Sequence, residues 1–132
     1  MTVLEQTQIE GITEPVIERY FQTLNSGEYN QTARLFAAEG VLHPPFESPL
    51  VGQDAIAIYL QTEAKGMKLH PRQGKVETIE KEHIQARITG KVQTPLFGVN
   101  VAWTFVLNPV QEIISVEVKL LASLSELAGL QR

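Results

Sequence analysis

Between Val99 and Leu107 every second residue is a large apolar one, whereas Asn100 and Thr104 fall on the other face. A period of two is typical of a β-strand with one buried face. The apolar face includes Trp103, the only tryptophan of the chain. A buried indole N–H needs a hydrogen-bond acceptor. The pattern therefore predicts a long strand that points Trp103 into a core or a cavity.

Before residue 66, apolar residues recur at helical spacing in three segments. The first helix is predicted to begin near Thr13 and Pro15, which suit a helix start, and to end at Asn25. The second is expected over residues 28–38 and the third over residues 53–65, each followed by a glycine that can end a helix.

Residues 41–49 lie between the second and third predicted helices and contain three prolines. Proline lacks a backbone donor and fixes its φ angle, so this segment is expected to be a stiff, irregular loop over one opening of the domain. After Pro71 the apolar period changes to two. An antiparallel sheet of four strands is predicted there, at residues 75–80, 84–92, 99–107 and 113–120.

The order of helices followed by strands indicates an α+β fold. About three helices can cover only one face of the sheet, and a strongly curved sheet would then form a cone around an apolar cavity. Residues 1–10 are predicted to be a flexible arm and residues 11–132 a single domain. Near the end of the chain, Ser123 and Glu126 form a capping-box pattern that predicts a short helix over residues 124–130.

Composition excludes several classes of function. The chain has no cysteine, so thiol catalysis and cysteine metal sites are absent. Its formal charge is −4 without a basic stripe, which argues against a nucleic-acid partner. No apolar run approaches the ~20 residues of a membrane span, and the first residues lack signal-peptide features. A cytoplasmic protein is therefore expected.

No catalytic motif is present, so the chain is not predicted to be an enzyme. His43, His70 and His83 are not spaced as metal ligands, and no metal site is predicted. Glu63 is the best-placed candidate for acid–base chemistry, followed by Glu47 and Glu117. Glutamates in such patterns more often lie on a solvent-exposed face than take part in acid–base chemistry. 

Two amphipathic aromatic residues remain, because Tyr20 lies on the apolar face of the first helix and Trp103 on that of the third strand. A missing hydrogen-bond partner in a dry interior costs about 1–3 kcal/mol. Spacing alone favours a nearby backbone carbonyl as the partner of each. The alternative is that both donate to one carbonyl oxygen of a buried apolar ligand.

Four separated motifs resemble the C-terminal domain of the cyanobacterial orange carotenoid protein, in stand-alone form. They are GITEP with RYFQTLN at 11–15 and 19–25, PPFES at 44–48, GKVQTPLFG at 90–98, and LLAS with EL at 120–123 and 126–127. The resemblance covers the chain from residue 11 onward. It implies the nuclear-transport-factor-2-like cone, in agreement with the α+β order.

The resemblance also implies a ligand and a site. Tyr20 and Trp103 occupy the positions that hydrogen-bond the ring carbonyl of a ketocarotenoid, such as canthaxanthin or echinenone. The same match assigns further carotenoid-binding residues to the cavity or its mouth. They are Leu24, Leu69, Pro95, Leu96, Phe97, Phe105 and Val118.

The function implied is uptake, carriage and transfer of ketocarotenoid, with photoprotective quenching of singlet oxygen. A chain of this length has a radius of gyration of roughly 14 Å, so a C40 pigment would protrude from it. We therefore expect a homodimer that shares one carotenoid, or helical carotenoid proteins as donor or acceptor. Transient membrane contact, near thylakoids, would allow uptake. The alternatives are an isomerase or dehydratase of the ketosteroid-isomerase-like type and a ligand-free regulatory interaction domain.

Overall fold

The computed structural model describes residues 9–121, which form three helices and six strands. A single 3₁₀ turn at Glu80–Glu82 joins the third and fourth strands. The helices are α1 (Pro15–Asn25), α2 (Tyr29–Arg34) and α3 (Gln53–Glu63), and the strands are β1 (Phe36–His43), β2 (Leu50–Val51), β3 (Lys68–Thr78), β4 (Ile84–Gln93), β5 (Gly98–Leu107) and β6 (Ile113–Leu121).

The strands form one curved sheet in the order β2-β1-β6-β5-β4-β3. Helices lead and most strands follow, so the α+β class is confirmed. The sheet is mixed rather than purely antiparallel, because β1 and β6 pair in parallel. A parallel pair needs a long connection, and here it contains α3 and the other four strands.

The region after α1 differs most from the sequence-based prediction. The second helix ends at Arg34 instead of residue 38, and residues 36–43 form β1. Phe36 is only 1% exposed and pairs with Ile113 of β6. Pairing and burial thus override the local helical spacing. The strand stops where the prolines begin, so only residues 44–49 contain the expected irregular loop, and they end at the short strand β2, which was not predicted.

Strand β3 begins at Lys68, seven residues before the predicted start, and continues through Pro71. Proline removes a ladder hydrogen bond and is tolerated on edge strands and at bulges. Both conditions hold, because β3 is an edge of the sheet and its register with β4 shifts between Pro71 and Gln73.

The bounds of the remaining elements agree with the prediction to within two residues at each end.

Helix α1 lies against the concave face of the sheet. Its apolar face packs on the inward residues of β5, with Ile17, Phe21 and Phe105 fully buried. The predicted inward face of β5 is confirmed, since Trp103 is 1% exposed.

The N-terminal end of the described region is attached to the sheet. Ile9 is buried and Glu10 forms a bridge with Gln73 of β3. Residues 1–8 of the predicted arm, and the helix expected over residues 124–130 with its Ser123 cap, lie outside the described residues. Within residues 9–121, no helix is long and apolar enough to cross a membrane.

Candidate functional site

A cavity of about 240 Å³ lies between the concave face of the sheet and the helices. Its wall is almost entirely apolar and draws on both helical and strand residues. The residues that line it are Tyr20, Leu24, Leu42, Pro44, Pro45, Tyr59, Leu60, Glu63, Ala64, Met67, Leu69, Val92, Thr94, Phe97, Val99, Val101, Trp103, Val118 and Leu120.

Strand register explains why the sheet residues meet at one wall. Val99, Val101 and Trp103 are spaced by two along β5 and therefore share a face. Trp103 pairs with Val118 and Val101 pairs with Leu120 on β6, while Val99 pairs with Val92 on β4. Directly paired residues lie on the same face of a sheet, so three neighbouring strands present one apolar surface.

Tyr20 extends from the buried face of α1 into this cavity. Its ring makes edge contacts with Phe105, at 5.0 Å between centroids, and with Phe21, at 5.2 Å. Burial raises the pKa of the Tyr20 phenol far above its ordinary value, with a smaller contribution from Tyr59. The hydroxyl therefore stays protonated and can act as a hydrogen-bond donor.

Trp103 is held by an edge contact with Phe21, at 4.8 Å between ring centroids, and also lines the cavity. Within residues 9–121, no hydrogen bond joins the Trp103 indole N–H or the Tyr20 hydroxyl to another protein group. The backbone carbonyls that spacing favoured as partners are thus not used in this part of the chain. Both donors belong to residues of the cavity wall.

Of the other seven residues assigned to the site by resemblance, Leu24, Leu69, Phe97 and Val118 line the cavity. The remaining three, Pro95, Leu96 and Phe105, do not line it.

Phe105 faces inward but lies beneath Tyr20, in contact with Phe21, so it belongs to the packed core. It follows Trp103 by two positions on the same strand face, where the cavity has already ended.

Leu96 is 88% exposed at the tip of the turn between β4 and β5 and does not reach the cavity wall. Pro95 lies beside Gly66, where an added Cβ would be 3.3 Å from the proline Cγ. The turn is fixed by Thr94, whose hydroxyl oxygen accepts from the Leu96 and Phe97 amides at 3.1 and 3.0 Å.

Sequence reasoning missed the part of the wall that depends on tertiary placement. Leu42 was assigned to an irregular loop, and Met67 follows α3 without any periodic pattern. For Val99, Val101 and Val92 the alternation already gave the correct face, but not the extent of the cavity. Of the α3 residues in the wall, Glu63 was predicted as an acid–base candidate, whereas Tyr59 and Leu60 were not assigned to a site.

The polar side chains of the wall cluster where α3 meets the proline loop. The Tyr59 hydroxyl donates to Glu47 Oε2 over 3.5 Å. Partial burial, followed by the charges of Glu47 and Glu63, raises the pKa of Tyr59 to about 12. Glu63, the first acid–base candidate predicted from the sequence, also lines the cavity, although the residue is largely exposed.

The other two acidic candidates, Glu47 and Glu117, do not line the cavity. Glu117 is exposed on β6. Among residues 9–121, no group of three or more histidine or acidic side chains could hold a metal ion.

The chain matches the nuclear transport factor 2 (NTF2) domain family over residues 12–115. It is 39% identical to the orange carotenoid-binding protein of Limnospira maxima, over 98% of this chain and 42% of that protein. The corresponding protein of Synechocystis sp. is 38% identical over 96% of this chain and 41% of its own length. By name, both relatives are carotenoid-binding proteins.

A solved structure of the orange carotenoid protein of Anabaena (Nostoc) sp. binding canthaxanthin is also similar. The identity is 40%, the TM-score is 0.86, and the match covers 94% of this chain and 41% of that one. The chain thus spans about two-fifths of the length of the relatives it matches.

Proposed function

Because this chain belongs to the NTF2 domain family and is homologous to the C-terminal domain of the orange carotenoid-binding protein, we propose that it binds the keto end of a carotenoid in its cavity. The pigment would be a ketocarotenoid such as canthaxanthin or echinenone. Tyr20 and Trp103 would donate hydrogen bonds to its ring carbonyl oxygen. The observation that supports this most directly is that Tyr20 and Trp103, two donors that bond no other group within residues 9–121, lie in a largely apolar wall.

Two different terms would set affinity and orientation. Burial of polyene and ring surface is favourable by roughly 25 cal/mol per Å² of apolar area. The two hydrogen bonds contribute about 0.5–1.5 kcal/mol each, and they require a carbonyl at one defined position. Apolar contact with residues such as Leu24, Leu69 and Val118 would supply affinity, whereas the two donors would select the keto end group.

The size of the cavity supports a carrier that holds only one end of its ligand. Its volume of about 240 Å³ is below the roughly 300–1,000 Å³ of pockets that enclose a drug-sized molecule. The rest of a C40 pigment would leave through the mouth near Phe97, which is 55% exposed. A second copy of the chain would cover it symmetrically, or a helical carotenoid protein would take it over. Uptake would begin at a membrane, and bound pigment would quench singlet oxygen.

The direct test is expression in a host that makes canthaxanthin. We expect the purified protein to be coloured and to keep the pigment through gel filtration. A colourless product, obtained beside a coloured orange carotenoid protein from the same host, would reject carotenoid binding and favour a ligand-free interaction domain. Mixing coloured protein with a colourless helical carotenoid protein then tests transfer, by separation of the two and measurement of pigment on each.

Substitution of the two donors tests the assigned site. Tyr20→Phe and Trp103→Phe each remove one donor, so each should shift the visible absorption band and reduce the fraction of protein that retains pigment. The double variant should show the larger effect. Tyr29→Phe is the matched control, because Tyr29 lies on α2 and does not line the cavity. A double variant with an unchanged spectrum would remove both residues from the site.

A further inference from the structure

The turn between β4 and β5 displays apolar side chains to solvent in a fixed geometry. Leu96 is 88% and Phe97 55% exposed, and Pro95 is exposed as well. The Thr94 amide donates to the Phe97 carbonyl at 2.8 Å, and the Thr94 hydroxyl donates to the same oxygen at 2.9 Å. The Thr94 hydroxyl oxygen also accepts hydrogen bonds from the Leu96 and Phe97 amides. Together these bonds hold the turn in one conformation, with its apolar side chains toward solvent. We call residues 95–97 the apolar tip.

Three lysines lie near the apolar tip. Lys65 is exposed and adjoins Gly66, which packs beside Pro95. Lys68 is exposed and pairs with Gln93 at the end of the β3–β4 ladder, and its Nζ donates to the Asn25 carbonyl at 3.1 Å. Lys91 extends toward the far side of the turn, where a Cβ added at Gly98 would lie 2.6 Å from its Cε. Lysines are thus adjacent to the apolar tip in a chain whose formal charge is −4.

The proline loop at residues 44–49 also contributes to the cavity wall, and its charged residue is acidic. Phe46 is 91% exposed in this loop and is followed by the exposed Glu47, which accepts a hydrogen bond from Tyr59. Lys65 and Lys91, in contrast, are adjacent to the apolar tip. This difference in charge distinguishes the two exposed aromatic loops.

We propose that the apolar tip inserts into an anionic lipid bilayer, with Lys65, Lys68 and Lys91 bound to the lipid headgroups. Soluble domains bind anionic membranes by combining two features: apolar side chains that enter the membrane–water interface and nearby lysines that contact the lipid headgroups. This proposal rests on the proposed function, because it would place the cavity mouth against the phase in which a carotenoid dissolves.

A bilayer fits this surface better than a second copy of the chain does. A stable protein interface buries roughly 800 Å² on each partner, and three side chains on a turn provide only a small part of that area. A second copy would also bring a second set of three lysines to the same place. An anionic headgroup layer is complementary to them.

The main experiment uses pigment-free protein and co-sedimentation with vesicles, so its result does not depend on carotenoid binding. We expect binding to vesicles of equimolar phosphatidylcholine and phosphatidylglycerol, little binding to phosphatidylcholine alone, and loss of binding at high salt. Leu96→Ser should lower the partition coefficient by roughly tenfold or more, in proportion to the apolar area withdrawn. The matched control Phe46→Ser should leave it unchanged.

Charge is tested separately with two variants of equal net charge. Lys65→Gln combined with Lys91→Gln removes two charges beside the tip, and Lys75→Gln combined with Lys81→Gln removes two at the other end of the β3–β4 hairpin. Only the first pair should weaken vesicle binding. Equal effects of the two pairs, or equal binding of the original protein to neutral and anionic vesicles, would overturn the proposal.

Fluorescence then shows which loop enters the bilayer. Leu96→Trp adds an exposed indole at the tip, and Phe46→Trp adds one on the acidic side of the mouth. With anionic vesicles, the Leu96→Trp variant should shift its emission to the blue and be quenched by brominated lipid, whereas Phe46→Trp should not. The reverse pattern would show that the proline loop inserts instead. If Leu96→Ser changes the molecular mass of the protein in solution but not its vesicle binding, the tip contacts a second copy of the chain and not a bilayer.

Discussion

Tyr20 and Tyr59 bring two phenol groups to the same cavity, in environments that differ in depth. Tyr20 is 2% exposed and surrounded by Phe21, Phe36 and Phe105. Tyr59 is only partly buried and donates to Glu47. Since burial is the first cause of the raised pKa of each, the deeper phenol is the one whose ionisation is most coupled to folding.

This coupling predicts a stability loss in alkaline solution. The pKa of Tyr20 is higher in the folded protein than its ordinary value of 10.0, so folding favours the protonated phenol. Its contribution to the free energy of unfolding is complete below pH 10 and is lost as the pH rises above it, by up to about 1.4 kcal/mol per pH unit. Tyr20→Phe should flatten this slope in urea unfolding measured between about pH 9.5 and about pH 11.

Tyr29→Phe serves as the control for this titration as well, because Tyr29 does not line the cavity. A slope that is the same in the original protein and in Tyr20→Phe would show that another group causes the loss, with Tyr59 as the next to replace. Far-ultraviolet circular dichroism in place of tyrosine absorbance keeps the unfolding signal independent of phenol ionisation.

At the scale of single residues, the sequence identified Tyr20 and Trp103 because each is an amphipathic aromatic residue on an apolar face. Periodicity predicted which face of the element carries each residue but not its hydrogen-bond partner. It favoured backbone carbonyls as partners, and within the described residues no backbone carbonyl accepts from either side chain. Phe105 shows the limit of the same reasoning. It shares the face of Trp103, yet a core position and a cavity position differ only in what lies opposite, which is a tertiary property.

At the scale of elements, the close contact between β3 and β4 depends on Gly90. A Cβ at this position would lie 2.3 Å from the His70 carbonyl oxygen and 2.7 Å from the Pro71 Cα. Both are backbone atoms of the neighbouring strand, so the strands would have to separate. The glycine thus allows the edge strand to contain Pro71 and still pair with β4.

We therefore expect Gly90→Ala to lower the free energy of unfolding by about 1–3 kcal/mol, the usual range for overpacking. Gly98→Ala is the matched control in the adjoining strand, because its Cβ would meet the end of the flexible Lys91 side chain, which can move. It should change stability by less than about 0.5 kcal/mol. Urea unfolding measures both, and a Gly98→Ala loss equal to that of Gly90→Ala would refute this account of the strand contact.

A comparison of β4 and β5 with β1 and β3 shows why the bounds of some strands could be predicted from the sequence and those of others could not. β4 and β5 have long alternating faces, so their bounds were predicted to within one residue. β1 and the first half of β3 lack that pattern, because edge position, a bulge and parallel pairing replace alternation as the cause of extended structure. Residues 36–38 fit a helical spacing, and the residues before Pro44 and around Pro71 resemble loops, until the partner strand is known.

At the scale of the molecule, the cavity is the feature that local patterns describe least. Its wall combines α1, α3 and five strands, including Leu42 of the unpredicted β1. Curvature and the position of β1 beside β6 determine whether the space between layers is filled or empty. The α+β order predicted a possible cone, and only the resemblance to a known family predicted what the cone would contain.

The length of a C40 ligand leads to a prediction about assembly. If two copies share one pigment through facing mouths, the loaded protein should have twice the 14.7 kDa mass of the chain. Its radius of gyration should then be roughly 18 Å or more, against roughly 14 Å for a single chain. Light scattering and small-angle X-ray scattering on coloured fractions measure these quantities, with Tyr20→Phe/Trp103→Phe protein as the poorly loaded control. Coloured protein that remains a single chain at all concentrations would contradict sharing and leave transfer to a different partner as the fate of the exposed half.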